Sequence, residues 1–233
     1  MAMPNSSRQF AALLLAVALD CSAGEVEWKM LLDQATLHLQ RGSVQQAEMF
    51  AREAVAEAGR TFGPAHRATD QSIATLGLVL RFSQRYPEAE KELRHALALR
   101  EKSLGPRDPA VAVLLNNLAD VVQAQKKYAE AEKLHRRVLA VFEKAYGDDP
   151  KTAASLNNLG AVILAQGRYA EAESVLRRSL AMKEKTLGPY SPSVAHTLGN
   201  LARVAEAQGR KTEADRLIAR ATAIHAGGAA PAR

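Results

Sequence analysis

Six histidines, one cysteine, four glutamate–arginine pairs and two Asn-Asn steps are the groups in this chain that could do chemistry by type and spacing. The histidines, His38, His66, His95, His135, His196 and His225, show no His-Glu-x-x-His spacing, so no metal ligand set is assigned and no cofactor is expected. A single cysteine, Cys21, excludes a disulfide framework and every multi-cysteine zinc or iron–sulfur arrangement. Neither a Gly-x-x-x-x-Gly-Lys-Ser/Thr loop nor a Gly-x-Ser-x-Gly elbow occurs, and no residue is assigned as catalytic. Glu48 with Arg52, Glu90 with Arg94, Glu132 with Arg136 and Glu173 with Arg177 place acid before base at i, i+4 on helices. Each such pair contributes about 0.2–0.5 kcal/mol. An acid pair built for catalysis would not be copied four times, so these read as helix supports. The asparagines are different, because an amide side chain offers a donor and an acceptor to a peptide backbone.

The elements that carry these residues are repeats. Tyr128-Ala-Glu-Ala-Glu132 recurs as Tyr169-Ala-Glu-Ala-Glu173 and as Tyr86-Pro-Glu-Ala-Glu90, with weaker copies at Val44–Glu48 and Lys211–Asp215. The signature alanines Ala47, Ala89, Ala131, Ala172 and Ala214 are spaced 42, 42, 41 and 42 residues apart. The short spacing falls in Gly147-Asp-Asp-Pro150, one residue shorter than Gly105-Pro-Arg-Asp-Pro109, so the deletion is in a loop, where length changes are tolerated. Each unit reads as two helices. Asp108-Pro109, Asp149-Pro150 and Ser191-Pro192 place a capping side chain before a proline at the first helical position. The second helix opens at the signature and ends near Gly105, Gly147 or Gly188. Ala35, Gly77, Ala119, Gly160 and Ala202 are the small residues of the first helix, expected to face the signature alanines where the axes come closest. The units run 24–62, 63–104, 105–146, 147–187 and 188–226, followed by a flexible tail at 227–233. A helix pair cannot bury its apolar faces alone, so the units must stack into an α-solenoid with atypical ends.

The first 23 residues depart from this pattern. Arg8 precedes the apolar run Phe10 to Leu19, and Cys21, Ser22, Ala23 and Gly24 follow, which is the layout of a secretory signal peptide cleaved near Ala23. Ten apolar residues make a helix of about 15 Å, half the thickness of a bilayer core, so no integral membrane span is expected. The chain is then periplasmic or secreted. Two alternatives remain open: an apolar N-terminal helix packed on the domain, leaving the chain cytoplasmic, and a lipid anchor on Cys21, against which Asp20 counts as the preceding residue. Losing Arg8 and Asp20 together leaves the net charge at +6.

Composition agrees with helices. Apolar residues make up 47% of the chain and aromatics 5%, which disfavours a β-sandwich or barrel. The +6 charge permits acidic partners without requiring them.

The paired helices, with Leu-Asn-Asn-Leu-Ala at 115–119, Leu-Asn-Asn-Leu-Gly at 156–160 and Glu-Lys-x-Leu-Gly ends at 101–105 and 184–188, resemble the tetratricopeptide repeat of the kinesin-light-chain type. The first copy departs from it, having Asp33 and Gln34 where the Asn-Leu pair should be. The resemblance implies an all-α, right-handed solenoid of about five repeats whose concave groove, lined by first helices, holds a peptide or a partner helix. It does not imply motor transport.

On helical spacing the groove-facing set is Leu78 and Arg81 in the second unit, Val113, Asn116, Asp120 and Gln123 in the third, Asn157, Ala161 and Leu164 in the fourth, and His196 and Arg203 in the fifth. Asn116 and Asn157 are the leading contact candidates, while Asn117, Asn158 and Asn200 fall one residue further round and read as structural bonds between helices. The expected partner is a protein or peptide. The rival readings are a basic nucleic-acid-binding surface built on Arg136, Arg137, Arg177 and Arg178, and self-association through Leu217, Ile218 and Ile224 of the last unit. Nucleic acid is not expected, because those arginines alternate with glutamates and lack an aromatic platform.

Overall fold

The computed structural model describes the backbone of residues 5–227 and the side chains of residues 23–227. The side chains of residues 1–22 in the proposed export segment, Cys21 included, and the tail beyond Gly227 lie outside the described residues. Ten helices are described: α1 (Asn5–Gln40), α2 (Val44–Thr61), α3 (Arg67–Phe82), α4 (Tyr86–Leu104), α5 (Pro109–Ala124), α6 (Tyr128–Tyr146), α7 (Pro150–Ala165), α8 (Tyr169–Leu187), α9 (Pro192–Ala207) and α10 (Lys211–His225). None of them, over the described residues, is long and apolar enough to cross a membrane.

The caps explain the boundaries. Asp108, Asp149 and Ser191 accept hydrogen bonds from the backbone N–H of Ala110, Lys151 and Ser193, satisfying donors that the first helical turn leaves open. The first helices of three repeats stop at Gln125, Gln166 and Gln208, and Gly167 and Gly209 then take positive φ of 77° and 75° to reverse the chain. The loop that lost a residue is the one between α6 and α7, as the helix ends Tyr146 and Pro150 show.

Two compact units divide the chain, residues 1–106 carrying α1 to α4 and residues 107–233 carrying α5 to α10. In the first, Leu31, Leu32 and Ala54 form a core against Trp28 and Phe50, and the Trp28 indole N–H donates to Ser72 Oγ at 2.8 Å, tying α1 to α3. An ion pair is buried here: Arg100 of α4 donates through Nε at 2.5 Å, and through Nη2, to Asp70 Oδ2 of α3, and through Nη1 to the Ala65 carbonyl. Burial raises the Asp70 carboxyl above its usual range even though Arg100 opposes the shift, and Asp70 Oδ1 has no partner.

In the second unit Ala153, Leu156 and Met182 pack with Leu139 and Val175. Val194, Ala195, Leu198 and Ile224 form the last cluster, with Leu217 against it. Of the three apolar residues expected to be exposed on the last unit, Ile224 is therefore buried and Leu217 is partly covered; Ile218, at 43% exposure, is open. The reason is that α10 turns one face back onto α9, as any second helix of a pair must.

Small residues in the first helices do make room, but for a different neighbour from the expected one. A Cβ built on Gly77 would lie 3.3 Å from Leu93 Cδ1, and one on Gly160 would lie 2.6 Å from Leu176 Cγ. The neighbour is thus the leucine one helical turn past the signature alanine. Gly160→Ala is expected to destabilise by up to about 2 kcal/mol, since overpacking a fully buried branch point costs about 1–3 kcal/mol and better helix propensity returns about 1. Gly77→Ala, facing a methyl that can give, should come out near neutral. Urea unfolding of the two variants checks this, and equal losses would refute the register.

All four acid-to-base pairs form, at 2.6–2.8 Å. The same glutamates do more than support their own helix. Glu48, Glu132 and Glu173 also accept from Arg85, Arg168 and Arg210, each at the start of the next repeat's second helix, at 2.6 Å. Burial works against the Glu132 charge, but hydrogen bonds from Gln166, Arg136 and Arg168 outweigh it and hold this carboxyl below the usual range.

Candidate peptide-binding face

The first helices of the second unit, α5, α7 and α9, carry a run of amides. Asn158 Nδ2 donates to Asn116 Oδ1 at 3.0 Å, and one repeat further on Asn200 Nδ2 donates to Asn157 Oδ1 at 3.1 Å. Four asparagines expected to play separate roles, contact and support, are therefore paired across repeats as two rungs of a ladder. Each rung uses one acceptor and one donor proton. That bond leaves the Asn116 and Asn157 amide N–H groups and the Asn158 and Asn200 carbonyl oxygens uncommitted within the rung. All four side chains are half-buried, so the amides are held by packing and still reachable.

Around the ladder Val113 is 54% exposed, and Asp120, Gln123 and Ala161 are half-buried. Leu164 departs from its expected place: it belongs to the core at 7% exposure and offers little to a ligand. Arg203 is exposed on α9. His196 is exposed as well, but its ring lies against His225 of α10, with centroids 5.9 Å apart. In the first unit, Leu78 and Arg81 are exposed on α3, and Phe82, which the repeat pattern did not single out, is 62% exposed beside them.

Behind the face sit two unusual titratable groups. His135 of α6 is fully buried with neither ring nitrogen hydrogen-bonded, its Nε2 4.0 Å from Asp120 Oδ1, and burial lowers its pKa to about 4. Lys183 of α8 is buried and donates to two neutral acceptors, the Ser193 carbonyl at 3.0 Å and Thr197 Oγ1 at 2.9 Å; burial lowers its pKa to about 8. Among the described residues no group of three or more His, Cys, Asp or Glu is placed to hold a metal ion.

The sequence profile of the tetratricopeptide repeat family matches residues 29–102, 70–144, 110–185 and 151–226. No curated protein matches the chain. Among solved structures, a Podosopora anserina protein described as a kinesin light chain with nearly identical TPR-like repeats is 28% identical, over 85% of this chain and 95% of that one, with a TM-score of 0.70. BtubC (BKLC) from P. vanneervenii is 22% identical, over 99% and 95%, with a TM-score of 0.72. The pilF protein of Pseudomonas aeruginosa is 22% identical, over 90% and 80%, with a TM-score of 0.61. At 22% these last two likenesses are of fold. The fold is one typical of protein–protein interaction scaffolds, which are in general not enzymes. With its repeats matched from residue 29 to residue 226, the chain belongs to the tetratricopeptide repeat family and has neighbours of the kinesin-light-chain type.

Proposed function

We propose that this protein is an exported, non-enzymatic interaction scaffold whose second unit holds an extended peptide segment of a partner protein along α5, α7 and α9. The observation that carries this reading is the amide ladder. A peptide residue in extended conformation presents one carbonyl and one N–H on the same edge, and each rung leaves one amide donor and one amide acceptor uncommitted to match them. The rungs share one sense, since in both the later repeat donates to the earlier one. A bound strand therefore meets the same pair of groups at successive repeats, with Val113 and Ala161 as shallow apolar contacts between them.

The nucleic-acid reading has less behind it. Arg136 and Arg177 are each paired with two glutamates, and Arg178 with Glu143 at 2.7 Å, so their charge is largely spent within the protein. Export rests on the Arg8, Phe10–Leu19 and Ala23 pattern, and a fusion of residues 1–30 to a reporter enzyme that is active only outside the cytoplasm tests it.

Asn116→Ala combined with Asn157→Ala is expected to weaken capture of peptide ligands from a displayed peptide library at least tenfold. Circular dichroism should be unchanged, because each substitution leaves the paired asparagine half-exposed to water. Equal capture by wild type and variant would remove the face from the reading.

A further inference from the structure

The six histidines look unrelated along the sequence, yet the fold brings two of them together. His196 stands in α9 and His225 in the last turn of α10, and their rings lie with centroids 5.9 Å apart and planes at 45°. Both are exposed, and each follows a buried anchor, Ala195 at 2% and Ile224 at 7% exposure. The backbones are thus fixed by the core while the rings face water. The other histidines whose surroundings are defined have different neighbours. His38 stacks on Phe50, His66 accepts the Ala68 N–H through Nδ1, and His135 is buried.

We propose that His196 and His225 form a two-histidine chelate for a borderline divalent transition-metal ion, Zn2+ in the first instance. The geometry supplies the span. A metal–nitrogen bond of about 2.0–2.1 Å puts the ion about 3.2 Å from a ring centroid, so two rings on one ion have centroids up to about 6.4 Å apart and about 5.2 Å apart in tetrahedral coordination. The observed 5.9 Å is wider than the tetrahedral value, and χ rotations of the two exposed side chains close the difference. Imidazole selects zinc, nickel and copper ions over magnesium and calcium, which take oxygen ligands. With two protein donors the remaining positions belong to water or to a ligand from a partner. The ion is therefore held loosely and exchanges, unlike a structural zinc with four protein ligands.

The test is calorimetric titration of ZnCl2 into the full chain carrying no affinity tag, alongside His196→Gln, His225→Gln and, as a control, His95→Gln at an exposed histidine of α4. One saturable equivalent is expected for wild type and control, with affinity lower by at least tenfold in either of the other variants. Histidine ring resonances give a second readout: Zn2+ should shift those of His196 and His225 and leave those of His66 and His95 in place. Absence of saturable binding, a His196 or His225 variant that binds as wild type does, or shifts confined to other histidines would each overturn the proposal.

Discussion

Replacing Arg100 by Met is expected to lower the free energy of unfolding by about 3–5 kcal/mol, the range for removing one partner of a buried ion pair. Asp70 would then be buried without its only charged donor, with Oδ1 already unpartnered. The carboxyl is raised by burial even with Arg100 present, so its pKa should climb further in the variant. The sign of the pH effect follows. A carboxyl raised above its unfolded value binds its proton more tightly in the folded state, so the variant's deficit shrinks as pH falls through the raised value and is full above it. Adding Asp70→Leu to Arg100→Met should recover most of the loss, because neither charge is then desolvated. Chemical denaturation of the two single variants and the double at pH 7 measures the coupling, and additive losses would show that the pair is not coupled in the folded state.

The second large effect concerns His135. Its folded value is about 4 and the ordinary histidine value is 6.5, so between those limits the unfolded chain binds a proton that the folded one refuses. Stability from this group is constant above about pH 6.5 and is lost as pH falls toward 4, by about 2 kcal/mol at pH 5 from the linkage relation. Repeats two and four carry Leu93 and Leu176 at the same place, which titrate nothing. His135→Leu should therefore flatten the pH dependence of unfolding between 7.5 and 5 by that amount relative to wild type. The leucines of those repeats face glycines, however, and His135 faces the first helix carrying Ala119. Crowding against that methyl should limit the gain at pH 7 until Ala119→Gly is added. A difference between wild type and His135→Leu that is the same at pH 7.5 and pH 5 would refute the assignment of the titration to this ring.

These expectations show what could and could not be read from the chain. Helix ends were legible because Asp108, Asp149 and Ser191 are local signals: each cap bonds two residues away, and nothing distant decides it. The four Glu–Arg pairs were legible for the same reason. Groups that meet across helices were not. Asn158 reaches Asn116 across 42 residues, and whether it does depends on the axial offset between neighbouring repeats, which periodicity leaves free. The choice between signature alanine and the leucine one turn later as the neighbour of Gly160 is a shift of about 6 Å along the partner helix, set by side-chain interlock. Asp70 with Arg100, and His196 with His225, are non-repeating residues at 30 and 29 positions apart. A search for repetition passes over such pairs by construction.

The arginines that open the second helices also set how far a disturbance travels. Arg85 binds a glutamate of the repeat before it in the first unit, and Arg168 and Arg210 do so in the second. In a linear array, each interface contributes a coupling energy, and the number of repeats that melt together is a correlation length fixed by that coupling. Here one part of the coupling is apolar and indifferent to salt, while the other is carried by part-exposed charges that ions screen within about 8–10 Å. Raising ionic strength should shorten the correlation length inside each unit while costing a repeat only the small share its own Glu–Arg pairs contribute, turning a sharp melt into a broader one in which end repeats fray first.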